Sequence, residues 1–338
     1  MPNSQVLTES LRKLKIASLN DIATLIGAPI PAPTKTARIQ GLSSQFHFYQ
    51  QQYAPLAKLN TLALDLGIKN FSYCKSSSSG HAWPVHITKW DKFSLHERYN
   101  ATNTNNNGPL YQPLLHPDSM VDKYRLFSHL TSRLVSDIKP EIANVRVMEV
   151  QRTRSNLNSA TLPSILQVHD LEMLLIGRIY PELVIPVTSH RMMNFWLYKY
   201  IAPEVAPSMK RNTKIVRREL AFAWFGTLYR FAPSFLADLG VNNEDNDKSG
   251  GVLNKRTLLG LMKLDSSDKT DDLVDSLLYN LYINAQFMNL ASFTRIFEQG
   301  GTSDDILSLI DEKTRFHRDL IRPVMDKFGF VYKEDKKK

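Results

Sequence analysis

The 338-residue sequence holds a single cysteine, Cys74. One thiol excludes an intrachain disulfide framework and any cysteine-built zinc site, and it fits a reducing compartment. No apolar run approaches the roughly 20 residues that a bilayer-crossing helix needs. The N-terminus has no apolar stretch of the secretory kind, and Arg12, Lys13 and Lys15 beside Glu9 make only a weak organellar presequence. The nine histidines show no His-x-x-x-His or triad spacing, and no serine stands in a Gly-x-Ser-x-Gly elbow, so zinc and serine hydrolases are poor fits. No internal repeat is present. Apolar content is ample: 43% of residues are hydrophobic and 22% charged, enough for one large core with or without a small appendage. Lys and Arg number 42 against 33 Asp and Glu, a net charge of +9 that suits a polyanionic partner.

Residues 1–43 read as a small helical unit. Leu7, Leu11 and Leu14 fall at helical spacing, and Leu19, Ile22, Ala23 and Ile26 follow, with Ser18 as the expected cap and Gly27 as the stop. Pro29, Pro31 and Pro33 forbid a helix interior, after which Thr34, Lys35, Arg38 and Leu42 open another short helix. This order, with Leu14-Lys15-Ile16, Ser18-Leu19 and Ile26-Gly27 in place, resembles a SAP-type motif. The resemblance implies a DNA-binding unit that touches a duplex arm through Lys35 and Arg38. Residues 44–58 are expected to be a linker, and 59–338 the main domain.

In the main domain, residues 59–66 read as a buried first strand ending in Asp65-Leu66-Gly67. Phe71 to Lys75 is expected as its hairpin partner, Ser76 to Gly80 as a turn, and Val85 to Phe93 as a third strand. Residues 99–118 are Asn-rich and are expected to be a polar loop that orders only on binding, with a second polar loop at 241–251. Helices are predicted over 121–138, 164–179 and 212–225, and strands over 145–150 and 183–187. In a three-layer α/β domain the strand over 145–150 would lie beside the first.

Three sources of carboxylate need an explanation. Asp65 sits within a buried strand, where a charge is costly unless compensated. Glu149 ends Val145-Arg146-Val147-Met148-Glu149, and Asp271, Asp272 and Asp275 open a late helix. Helical periodicity sets Val274, Leu277, Leu278, Leu281 and Ala285 on the apolar face, with Asp271 and Asp275 at its edge and Asp272 opposite its centre. Asp271 and Asp275 are therefore preferred. Singly, each acid at a helix start merely complements the macrodipole; together with Asp65 and Glu149 they form an all-oxygen donor set that suits Mg2+ or Mn2+. Two such ions about 3.5–4 Å apart are a known device for in-line phosphodiester hydrolysis.

The ordered set Asp65-Leu66-Gly67-Ile68-Lys69-Asn70, Glu149-Val150-Gln151 with Arg154-Ser155, and Lys269-Thr270-Asp271-Asp272-Leu273-Val274-Asp275-Ser276 resembles the ribonuclease-H-like fold. More narrowly, it is similar to the fungal mitochondrial Holliday junction resolvases, relatives of bacterial RuvC that carry an N-terminal SAP-like unit. The resemblance implies a mitochondrial, Mg2+-dependent endonuclease acting as a homodimer on four-way DNA junctions, with no membrane and no small-molecule cofactor. Asp65, Glu149, Asp271 and Asp275 would be its metal ligands and catalytic residues. RuvC spaces its last two acids at i and i+3, which selects Asp272 with Asp275 instead, so the choice between Asp271 and Asp272 stays open.

Gln151, Arg152 and Arg154 after the Glu149 strand, and the cluster Lys210, Arg211, Lys214, Arg217 and Arg218, are the expected phosphate-contacting residues. Two rivals remain. A junction-binding protein without chemistry would keep the charge but not the carboxylates. An actin-like or sugar-kinase ATPase would want a second Asp-x-Gly on a strand and a Gly-Gly adenosine motif, for which Asp238-Leu239-Gly240 and Gly250-Gly251 are the candidates.

Overall fold

A computed structural model describes residues 4–79, 82–99, 111–150, 163–240, 254–262 and 270–333. Three helices come first: α1 (Ser4–Lys13), α2 (Ile16–Ile26) and α3 (Lys35–Gln52). The strands β1 (Lys58–Asp65), β2 (Phe71–Ser79) and β3 (Val85–Phe93) follow, then α4 (Leu95–Tyr99) and α5 (Met120–Ile138). Next are β4 (Val145–Glu149), α6 (Pro163–Ile179), β5 (Ile185–Val187), α7 (Ser189–Trp196) and α8 (Ala206–Ala223). The chain continues through β6 (Tyr229–Phe231), α9 (Pro233–Leu239) and α10 (Lys255–Leu261) to two long helices, α11 (Asp271–Glu298) and α12 (Ser303–Phe328).

The six strands form one mixed sheet in the order β5-β4-β1-β2-β3-β6. β1, β2 and β3 are an antiparallel meander, while β4 runs parallel to β1 and β5 parallel to β4. This is the ribonuclease-H-like arrangement, with β6 added parallel to β3. Strict alternation along β1 divides the core in two. Leu62, Leu64 and Leu66 pack with α5 and α6 residues such as Leu130, Leu134, Leu171 and Leu175. Leu59 and Ala63 turn to the other face, where the second core gathers α11 and the N-terminal helices. Asp65 shares the parity of Ala63 and therefore faces α11.

Several expectations change. Ser18 is not a cap, because α2 begins two residues before it and buries it. Residues 44–52 are helix rather than linker: α3 runs on to Gln52 because Phe46, Tyr49 and Tyr53 find apolar partners, with ring centroids 5.3 Å from Phe297 (Phe46) and 4.5 Å from Phe287 (Tyr53). The serines 76–79 are strand, not turn. Ser76 and Ser78 lie on the α11 face, where small side chains let the helix approach and the Ser76 hydroxyl donates to Asn280 at 2.6 Å. The described end of the first polar loop is held in place: the backbone N–H groups of Leu114, Leu115 and His116 donate to the Asp122 carboxylate at 2.7, 2.8 and 3.0 Å. The second polar loop, expected at 241–251, lies outside the described residues.

His317 on α12 is buried between Phe195 and Trp196, its Nδ1 2.8 Å from the Tyr200 hydroxyl. Burial, followed by the positive charges of Lys199 and Lys313, pushes its pKa well below the usual value. In the folded chain this ring stays neutral, whereas in the unfolded chain it takes up a proton below about pH 6.5. Stability is therefore expected to fall as pH drops below that value, by up to about 1.4 kcal/mol per pH unit from this residue. Denaturant melts of wild type and His317→Gln from pH 7.5 to 5 check this: the variant should show the shallower decline, and parallel curves would refute it.

Candidate active site

The site grows from the C-terminal ends of β1 and β4. These neighbours are parallel, and the pairing of Leu64 with Met148 sets Asp65 next to Glu149. Val145 and Val147 face α11 within the same core as Ala63, so by alternation Glu149 faces it too. After Asp65 the chain must turn sharply into β2; a Cβ on Gly67 would come within 2.9 Å of the Asn70 carbonyl oxygen, so glycine is needed there.

The start of α11 is tied over this strand end. The Ser72 hydroxyl donates to the Asp272 carbonyl at 2.6 Å, and the Trp90 indole N–H to the Leu273 carbonyl at 2.9 Å. Asp272 and Asp275 thereby join Glu149 among the carboxylates whose charge acts on Asp65. Asp271 acts on Asp275, as the least of the three carboxylates that raise its pKa.

Each of the three aspartates at the start of α11 pairs with a cation. Lys214 reaches Asp271 at 3.0 Å, Lys92 reaches Asp272 at 3.4 Å and Arg217 reaches Asp275 at 2.5 Å. Asp65 is buried at 6% exposure. Burial raises its pKa well above the carboxylate range, and a hydrogen bond with Glu149 and the charges of Glu149, Asp275 and Asp272 add to the rise. A hydrogen bond between two carboxyls requires a proton between them. Burial likewise pushes Asp275 up to about 7, with Arg217 opposing and Glu149, Asp272 and Asp271 adding. Asp275 Oδ1 is buried without a hydrogen-bond partner.

This arrangement fits a hard divalent cation. Like charges crowd at one strand end in low dielectric, the donors are all oxygen, and one buried carboxylate oxygen has nothing to bond. Among the described residues, no three acids, histidines or cysteines converge closely enough to cage an ion by themselves. Mg2+ asks for less: one or two carboxylates, waters and substrate phosphate complete its shell.

The sequence leads to the expectation that Asp65, Glu149, Asp271 and Asp275 gather in one metal site, and the structure brings Asp65, Glu149 and Asp275 together. It also brings Asp272, which the sequence reading put opposite the apolar face. That reading assumed a solvent side for the helix, whereas α11 is buried on nearly all sides from Leu273 to Leu290, between the sheet and the helices α2, α7 and α8. Of the expected phosphate contacts, Lys214 and Arg217 turn toward the carboxylates, and Arg218 lies 3.6 Å from Glu219. Lys210 and Arg211 stand on α8, with side chains outside those described. Gln151, Arg152 and Arg154 lie outside the described residues. Lys35 donates to the Arg12 carbonyl at 2.6 Å, and Arg38 to Asn20 at 2.6 Å and to the Pro33 carbonyl, so both tie the N-terminal helices together.

Lys92 was missed. A β-bulge between the pairs Lys75–Lys89 and Ser76–Ile87 inserts Thr88 into β3, and the shifted parity carries Trp90 and Lys92 to the α11 face. Simple alternation from Val85 would put Lys92 on the opposite side. Asp238-Leu239-Gly240 ends a helix, with Gly240 as its left-handed cap, rather than closing a strand, and this removes the second phosphate loop that the ATPase reading required.

Residues 61–293, well over half of the chain, match the family described as "Mitochondrial resolvase Ydc2 / RNA splicing MRS1". The chain is 23% identical over 323 residues to the mitochondrial cruciform cutting endonuclease 1 of Saccharomyces cerevisiae, covering 86% of this chain and 87% of that protein. Among solved structures it is similar to the yeast mitochondrial Holliday junction resolvase Ydc2, at 19% identity with a TM-score of 0.47, covering 84% of this chain and 99% of the other. It is also similar to Thermus thermophilus RuvC in complex with Holliday junction substrate, at 10% identity and a TM-score of 0.29, covering 66% and 92%. With its acids gathered at the ends of β1 and β4 under the start of α11, and with the family matching across all three of these elements, the chain belongs to the Ydc2/MRS1 mitochondrial resolvase family.

Proposed function

We propose that this protein is a mitochondrial endonuclease that resolves four-way DNA junctions by divalent-metal-dependent hydrolysis, working as a homodimer. The observation that carries the reading is the meeting of Asp65, Glu149, Asp272 and Asp275 at one end of the sheet. The family description spans both resolution of junctions and RNA splicing. A fold kept only to bind nucleic acid gains nothing from burying like charges together, which costs stability; the carboxylates therefore favour the nuclease.

On this reading Asp65, Glu149, Asp272 and Asp275 hold Mg2+ or Mn2+, two ions per site, with Asp272 preferred over Asp271. The bound ion supplies an activated water and stabilises the leaving oxygen. Lys214, whose side chain is 66% exposed, stands where a backbone phosphate would approach the cluster, with Arg217 behind it. Residues 1–43 remain a proposed SAP-like DNA-binding unit, in which contact through Lys35 and Arg38 would require them to exchange their internal bonds for phosphate.

Paired nicks need two sites, and α6 offers a face for a second copy. Leu166, Met173, Ile176 and Tyr180 are exposed along one side at spacings of seven, three and four, the pattern of a helix–helix seam. The expected helix over 164–179 thus suits the dimer better than α8, which turns toward the carboxylates.

The test is incubation with four-way junction, duplex and flap DNA, in Mg2+ and in EDTA, with product mapping and sedimentation. Symmetric nicks on the junction alone, only with metal, and a mass of two chains are expected. Metal-independent cutting or equal cutting of plain duplex would overturn the reading.

A further inference from the structure

Tyr279 is a buried titratable group that the mechanism above does not use. It lies on α11 one turn beyond Asp275, on the same face of the helix. Its exposure is 0%. Its hydroxyl is buried, and the phenol proton has no acceptor. A phenylalanine would fill the same space without leaving a polar atom dry, a defect worth about 1–3 kcal/mol.

Where the hydroxyl sits gives it a use. β5 pairs with β4 through Val187 opposite Glu149, and the Val150 N–H donates to the Val187 carbonyl at 2.9 Å. The chain then enters α7 at Ser189, whose side chain acts as a donor toward the Tyr279 oxygen and leaves the phenol proton free for another acceptor. The phenol tip therefore lies where β4, β5 and α7 meet, beside the Glu149 strand end. The charges that act on it are those of Glu149, Asp275 and Asp65, with Glu149 the strongest. Burial above all, then these carboxylates, push its pKa well above 10, so it keeps its proton and can only donate to them. The unpartnered Asp275 Oδ1 belongs to the same cluster: a donor and an acceptor of one site both lack partners.

We propose that Tyr279 is a positioning residue of the carboxylate cluster, its hydroxyl donating a hydrogen bond to Glu149 when that carboxylate takes up a divalent cation and thereby setting affinity for the ion. The proposal rests on the metal-dependent reading of the site. Groups that orient a metal-holding carboxylate from behind typically carry about 10–100-fold in metal affinity or activity.

Tyr279→Phe in the full-length protein tests it, with Tyr282→Phe as a control on the same helix. Mn2+ binding is measured by calorimetry and by the paramagnetic signal of free Mn2+, together with thermal melts in EDTA, junction binding in EDTA, and the Mg2+ dependence of cleavage. Tyr279→Phe is expected to melt no lower than wild type in EDTA and to bind junction equally. It should weaken Mn2+ binding by about tenfold or more and move cleavage to correspondingly higher Mg2+, while Tyr282→Phe changes none of these. Unchanged Mn2+ affinity in a variant of a wild type that binds Mn2+ and cuts junctions would overturn this proposal alone. A lowered melting temperature in EDTA would mark a structural role and overturn it as well. A wild type that neither binds Mn2+ nor cuts junctions would overturn the nuclease reading and this proposal with it.

Discussion

Asp65→Asn is expected to fold, to bind a four-way junction, and to cut it at least roughly a thousandfold more slowly than wild type, because charge stabilisation by a correctly held ion is worth several kcal/mol and each 1.4 kcal/mol is tenfold. Asparagine keeps the shape and the burial but offers one neutral oxygen where the cluster needs an anionic one. Folding should not suffer. Burial and three neighbouring carboxylates disfavour the ionised Asp65 side chain, so removing its charge relieves the native state. Single-turnover cleavage and gel-shift assays on the same preparation check the separation of cutting from binding. Near-normal cutting by Asp65→Asn would sink the assignment of the site.

The same assay decides between the two adjacent acids. Asp272→Asn and Asp275→Asn are expected to follow Asp65→Asn, whereas Asp271→Asn keeps most of its activity. Asp272 acts on Asp65 while its backbone carbonyl is tied to β2 through Ser72. Asp271 is instead the partner of the solvent-exposed Lys214. The reverse ranking would return Asp271 to the cluster.

Asn280→Leu carries the largest expected effect on stability, a loss of roughly 3 kcal/mol or more from several buried polar groups left dry at once. Asn280 is fully buried between α11 and the sheet. It accepts from the Ser76 hydroxyl at 2.6 Å and donates to the Cys74 carbonyl at 3.1 Å. Asn284 donates to the Asn280 side-chain oxygen at 3.1 Å and to the Thr61 hydroxyl at 3.2 Å. Leucine has similar volume, so the loss comes from polar atoms and not from a cavity. Adding Ser76→Ala to Asn280→Leu should restore part of the stability, since it removes one orphaned hydroxyl. Urea melts of the single and double variants measure this coupling; additive losses would show that the two side chains act independently.

Much of the architecture was legible because its signals are local. The run Leu62-Ala63-Leu64-Asp65 has the apolar content of a central strand and a charge at its end, and β3 falls at 85–93 where alternation predicts it. Gly27 stops α2 in the left-handed conformation expected of a glycine cap. Asp65 and Glu149 stood out because a carboxylate in a buried strand is energetically anomalous wherever the strand ends up. These inferences need only backbone sterics, side-chain periodicity and the cost of burying charge.

What the sequence could not supply depends on partners far away along the chain. Serines 76–79 read as a turn until α11 is laid across them, and residues 44–52 as a linker until Phe287 and Phe297 give their aromatics a surface. The one-residue bulge in β3 turns Lys92 from an outward lysine into a neighbour of Asp272, and no local pattern announces it. The choice between Asp271 and Asp272 depends on which way α11 is rotated. Periodicity fixes rotation only when a helix has one wet side and one dry side, and α11 is dry on nearly all of them, so Trp90, Ser72 and the buried asparagines decide it. Composition and spacing thus marked which carboxylates are energetically anomalous, while long-range packing decided which of them meet.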